Sequence, residues 1–397
     1  MNHGWEYKRL GDVCEYNRGL TYSKDAECEK SSNIVLRANN INLETHSLDF
    51  EELKFLRDNY SIPQKYKLQK DSILICMSSG STNHLGKVAF VDRAYDYAYG
   101  GFMGLILPKI NPKYLFLFMI SDVFRSHLDK LTNGININNL KFSTLQEICI
   151  PVPPIELQET IVSELNKINE LIEVKRSQLA DLDLLAQSLF YEMFGDPIDN
   201  PKGWNLYKLG DCVEFKNGLN FTPSDNGNEI KCLGVGNFKS NRYITDESLP
   251  SINIVELVSK EYLLKDGDIV FVRSNGNKAL IGRSILYASK GADATFSGFC
   301  IRCRFDHAKY DPLYMVYLLS SKTIRHYMTS QGKGCNISNI NQKILSAMPF
   351  IVPPIELQDQ FAAKIKMIEE QKNLINSSIA DLQILLASRM DYWFNNI

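Results

Sequence analysis

Pro153-Pro154-Ile155-Glu156-Leu157-Gln158 recurs letter for letter as Pro353-Pro354-Ile355-Glu356-Leu357-Gln358 in a chain of 397 residues. Working outward, each copy of the hexapeptide is preceded by matching landmarks in the same order. Trp5, Leu10, Gly11 and Asp12 return as Trp204, Leu209, Gly210 and Asp211, and the block Glu15 to Tyr22 returns as Glu214 to Phe221. Leu68 to Gly80 aligns with Leu264 to Gly276, a hydrophobic run entering a polar, glycine-containing loop. Gly101-Phe102 answers Gly298-Phe299, and Gly134 to Leu140 answers Gly334 to Ile340. Solenoid units span only about 20 to 50 residues, so a repeat this long is a duplicated domain.

Runs rich in β-branched and aromatic residues, such as Ile73 to Met77 and Ile269 to Val272, are broken by Gly, Asn and Ser and read as strands. Each copy is therefore a mixed, strand-rich body followed by a long helix. The fold class expected is α/β (α+β): bodies over 1–150 and 197–350, helices over 151–196 and 351–397.

After the first Pro-Pro pair, Ile161, Leu165, Ile168, Ile172, Leu179, Leu182, Leu189 and Met193 follow a 4-3 spacing, with Lys175 and Ala186 at its remaining positions. The second copy supplies Phe361, Ile365, Ile368, Ile375, Ile379, Leu382, Leu386 and Trp393, with Lys372 and Arg389 on the seam. Proline is tolerated only in a helix's first turn, so the double proline sets each start. A helix of about 35 residues spans about 50 Å, longer than a body of this size, so it needs a partner outside its own body. The expectation is two long antiparallel helices forming a coiled coil, with a pseudo-two-fold internal repeat and one body at each end. Successive faces of a DNA major groove recur every 34 to 36 Å or so, and such a rod would act as a ruler between half-sites.

Composition narrows the classes. The 44 Lys plus Arg balance 46 Asp plus Glu, and 44% hydrophobic content is that of a globular chain. Near-neutrality removes the simplest argument for a nucleic-acid binder. No apolar run approaches the roughly 20 residues needed to cross a bilayer, and the N-terminus lacks the order of a secretory signal, which places the protein in the cytoplasm, away from membranes. Nine cysteines, an odd number, fit reduced thiols, and Cys300 with Cys303 reads as a strand pair without the further ligands a zinc site requires.

Catalytic motifs are missing. Gly80 to Lys87 has the wrong glycine spacing for a phosphate loop, and Val88 stands where Ser or Thr is needed. Asn111-Pro112-Lys113-Tyr114 and Asp311-Pro312-Leu313-Tyr314 lack the second proline of the amino-methyltransferase motif and read as helix N-caps with proline in the first turn. No glycine-rich fingerprint would hold S-adenosylmethionine, so no cofactor is expected. His84, His127, His307 and His326 show neither metal nor triad spacing, and no metal or catalytic residue is assigned.

The duplicated body, the Pro-Pro-Ile-Glu-Leu-Gln entry and the paired heptad helices together resemble the DNA specificity subunit of type I restriction-modification enzymes, over essentially the whole chain. The resemblance implies that the two bodies are target recognition domains, each reading half of an interrupted, asymmetric sequence on double-stranded DNA. It implies that the helices are spacers that also dock the partners, two methyltransferase (modification) subunits together with restriction/translocase subunits, and that the chain itself is non-catalytic. Three alternatives stay open: the recognition subunit of a combined restriction and methylation enzyme without a motor, a duplicated coiled-coil scaffold that binds no DNA, and a divergent methyltransferase.

Base readers belong on loops that differ between copies, because the two half-sites differ. The loop after the repeated strand fits: Ser78, Ser79, Ser81, Thr82, Asn83, His84 and Lys87 in the first copy, Arg273, Ser274, Asn275, Asn277, Lys278 and Arg283 in the second. Arg273 and Arg283 suit guanine, Asn275 or Asn277 suits adenine, and Lys87 or Lys278 suits phosphate. Lys333 is a phosphate candidate, and Arg37, basic where its counterpart Gly234 is not, is a further contact candidate. Asn136 and Asn336 are shared and read as structural.

Overall fold

The computed structural model describes residues 5–79, 84–132, 139–222, 227–238, 242–255, 257–330 and 339–395. The chain divides into two compact units, Met1–Arg176 with Ser377–Ile397, and Ser177–Asn376. Each unit therefore contains one strand-rich body and a segment of each long helix.

In the first unit an antiparallel sheet has the order Cys14–Arg18, Met103–Pro108, Ser72–Cys76, Val88–Val91. A second sheet has the order Glu27–Cys28, Lys54–Leu56, Asn33–Leu36, Tyr97–Tyr99, its last pair parallel. Ser72–Cys76 is buried along its whole length, as expected of a central strand with both faces covered. Glu6–Arg9 pairs antiparallel with Cys149–Val152, which brings the start of the body to the entry of the long helix.

The second unit repeats this plan, with Val213–Asn217, Cys300–Phe305, Ile269–Val272 and Ser284–Ala288 in the same order. It adds Tyr243–Thr245 as a parallel fifth strand. Cys300 and Cys303 are buried in their strand, where desolvation pushes the Cys300 thiol up to about 12. The eight described cysteines are free thiols.

The long helices run Ile155–Phe194 and Ile355–Asn395. The repeated hexapeptide earns its invariance through its glutamine. Gln158 is buried, its Oε1 accepts the Asn111 amide at 3.1 Å, and its Nε2 donates to the Pro153 carbonyl at 2.8 Å. Gln358 makes the same two bonds to Asp311 and Pro353, at 3.0 and 2.9 Å. Asn111 and Asp311 in turn cap their helices as the sequence predicts, each accepting two backbone amides ahead of a first-turn proline. Each long helix is thus locked to a cap within its own body.

Burial along the helices follows the expected seam at Ile161, Leu165, Ile168 and Ile172, and at Phe361, Ile365 and Ile368. Toward the far ends it departs from it. Leu189, Met193 and Trp393 are half-buried, and the neighbouring Phe190, Phe194 and Phe394 are almost fully buried. Here the helix packs on a body as well as on another helix: in the second unit Phe194 lies 4.8 Å from the Tyr314 ring and 5.3 Å from Phe361. A strict heptad describes only the helix–helix face. Within that unit Phe190 packs on Phe361 and Asp183 accepts from Lys372 at 2.9 Å, so the segments are antiparallel.

Candidate nucleic-acid interface

In both bodies the central strand ends at a three-way junction. The amides of Met77 and Ser78 donate to the Phe102 carbonyl at 2.8 and 3.1 Å, and the amides of Arg273 and Ser274 donate to the Phe299 carbonyl at 2.8 and 3.4 Å. On the other side, Leu140 donates to the Met77 carbonyl at 2.6 Å and Ile340 to the Arg273 carbonyl at 2.9 Å. Ser78 bridges Asn139, and Ser274 bridges Asn339. The start of each candidate loop is therefore held by backbone on both sides, and its side chains stand on a rigid base.

The junction needs glycine. A Cβ on Gly19 would meet the Gly100 carbonyl oxygen at 2.0 Å, and one on Gly218 would meet that of Ser297 at 2.1 Å. Such a close approach of two backbones leaves no room for any side chain.

The second body keeps its predicted donors on this base. Arg273 is half-buried, and its Nη1 has a long 3.5 Å contact with the Gly298 carbonyl. The Oδ1 of Asn275 accepts the Asn277 amide at 2.7 Å, and Asn277 caps the short helix Lys278–Leu280 by accepting the Ala279 amide at 2.9 Å. Their amide groups are thereby oriented, and Lys278 is exposed beside them. In the first body Ser78, Ser79 and His84 are half-buried. Ser81, Thr82, Asn83 and Lys333 lie outside the described residues, as do Asn136 and Asn336.

Lys87 requires a correction. Read as a phosphate contact, it is only 7% exposed, and its Nζ donates to the Ile41 carbonyl at 3.1 Å. Desolvation holds its ammonium below the usual lysine range. Arg283, expected at a guanine, occupies the equivalent place, its Nη1 donating to the Phe238 carbonyl at 3.2 Å. Ile41 and Phe238 each end a short helical turn, Ala38–Asn40 and Val235–Asn237. A cation at that carbonyl is a fold feature shared by both copies. Each follows a glycine with φ near the left-handed region, Gly86 at 77° and Gly282 at 74°.

Arg37 is exposed and lines a cavity of about 770 Å³ in the first unit, together with Arg18, Lys24, Asn39, Ser78 and Phe102. Glu27 also lines it and is engaged by Lys54 at 2.6 Å. Arg18 and Lys24 join Arg37 in this lining without having stood out in the sequence. The signal for Arg18 was present, since Asn217 occupies its place in the second copy.

Among the described residues no group of His, Cys, Asp or Glu could hold a metal ion, and no helix is long and apolar enough to cross a membrane.

Residues 2–183 and 201–383 each match the family described as the type I restriction modification DNA specificity domain, and the chain belongs to that family. Among characterised relatives, it is 27% identical to the type I restriction enzyme StySPI specificity subunit of Salmonella potsdam, over 96% of this chain and 85% of that protein. It is 23% identical to the EcoKI specificity subunit of Escherichia coli K12, with the same coverage of both chains. Its fold is similar to that of a chain solved in a study of complex assembly and conformational transition of the type I R-M system, with TM-score 0.60 and 17% identity over 98% of this chain and 97% of that one. The S subunit from M. genitalium superposes with TM-score 0.50 at 14% identity, over 100% of this chain and 97% of that one.

Proposed function

We propose that this chain is the DNA-specificity subunit of a type I restriction-modification enzyme, non-catalytic itself, which selects an interrupted, asymmetric sequence on double-stranded DNA and brings modification and restriction subunits to it. The observation that carries the reading is the family match in two successive copies spanning nearly the whole chain. Each body takes one half of the target. The side chains offered for contact are Ser78, Ser79, His84 and Arg37, with Arg18 and Lys24 added, in the first, and Arg273, Ser274, Asn275, Asn277, Lys278 and Arg283 in the second. Ser81, Thr82, Asn83 and Lys333 keep their sequence-based candidacy. Near-neutral charge fits a subunit whose partners supply much of the phosphate neutralisation.

The helices support a stoichiometry of two modification subunits. Val174 and Leu374, Leu184 and Ile384, and Leu185 and Leu385 are apolar and exposed at corresponding positions of the two copies. Each unit therefore presents such residues from both helix segments: Val174, Ile384 and Leu385 in one, Leu374, Leu184 and Leu185 in the other. Two equivalent sets of exposed apolar residues suit two copies of one partner. The complex acts in the cytoplasm, where the DNA lies.

Mapping methylated adenines across the host genome, with and without this chain, tests the reading. A two-part motif with a fixed spacer that disappears with the chain is expected; an unchanged methylation pattern would refute it.

A further inference from the structure

Phe102 and Phe299 stand at corresponding positions, yet they are 70% and 61% exposed. Residues shared by the two copies ordinarily maintain the fold, and a side chain so far in solvent cannot do that. Both occupy the third position of a tight turn, closed by Met103 donating to the Gly100 carbonyl at 2.8 Å and by Cys300 donating to the Ser297 carbonyl at 2.8 Å. The carbonyl of each phenylalanine is held by the two amides that begin the candidate reading loop. The backbone that carries each ring is thus fixed, and the ring is presented to solvent, bonded through its carbonyl to Ser78 in the first body and to Arg273 in the second.

We propose that Phe102 and Phe299 are paired apolar anchors, each burying its ring against the duplex at its own half-site without selecting bases. The inference rests on the DNA-recognition reading above. Half-sites of an asymmetric target differ, so a side chain common to both bodies performs a task common to both halves. An apolar ring adds affinity by leaving water, and it releases no counterions. A prearranged backbone lowers the ordering cost of binding.

In the test, the full chain is assembled with its modification subunits and carries Phe102→Ala, Phe299→Ala or both. It is titrated with a fluorescent duplex bearing the mapped target and with duplexes altered at one recognised base, over a KCl series. Each substitution is expected to weaken every duplex alike by roughly ten- to a hundredfold, with Phe299→Leu recovering most of the loss. The slope of log affinity against log salt stays unchanged and thermal melts coincide with wild type. Unaltered affinity, a changed base preference, or a salt slope lower by about one would each overturn the anchor, the last marking a phosphate contact. Absence of duplex binding by the wild-type complex would instead overturn the recognition reading.

Discussion

The backbone amide of Arg273 donates to the carbonyl of Phe299 at 2.8 Å. That bond seats Arg273 at the root of the reading loop, where the first body has the buried Met77. An apolar residue in one copy and a half-buried guanidinium in the other is the contrast expected where the halves read different bases. Arg273→Ala should weaken binding to the correct site by about 1 to 3 kcal/mol and relax one base position in the half read by the second body. Titration of the assembled complex against single-base variants measures this; uniform weakening across them would reassign Arg273 to a phosphate.

Lys87 should behave as a core residue. Lys87→Ala removes a buried aliphatic stem and leaves the Ile41 carbonyl without its donor, a combined cost of about 2 to 3 kcal/mol. Thermal or denaturant unfolding should show this loss, and the preferred DNA sequence should stay the same. Altered preference at undiminished stability would restore Lys87 to the interface.

Glu164 accepts from the Arg389 guanidinium, Nη2 at 3.1 Å, and from the Trp393 indole at 3.2 Å. The Arg389 hydrogen bonds hold its carboxyl below the usual glutamate range. A carboxyl lowered in the folded state contributes stability above its unfolded pKa of about 4.3, and that contribution fades as pH falls through the folded value. Because the pair is about one-third exposed, its worth is on the order of 1 kcal/mol. Glu164→Gln should therefore unfold at lower temperature at neutral pH, and its melting curve should converge with that of wild type in acid below the ordinary carboxylate range. A pH-independent difference would assign the effect to packing.

The exposed apolar positions of the helices predict assembly. Val174→Glu and Leu374→Glu should each remove one modification subunit from the complex, and the double variant should remove both, because a charge buried in an apolar contact is strongly unfavourable. Light scattering of the reconstituted complex reads the mass directly. Full assembly by the double variant would place docking elsewhere.

The duplication, the central strands, the helix starts and the Asn111 and Asp311 caps were legible in the linear chain. Each depends on local spacing or backbone chemistry, and each is written twice. Tertiary structure decided what Gln158 and Gln358 are for, since their partners lie 47 residues away. It also separated residues that look alike as text. Lys87 and Lys278 both read as loop cations, but one is sealed beneath the Ile41 carbonyl and the other faces water. Phe102 and Phe299 stand out in the sequence only as a repeated pair and are exposed, whereas Phe190 and Phe194 fill the core beside the heptad seam. Burial is a property of distant neighbours brought together by folding, and a pattern along one strand or helix records only which residues could share a face.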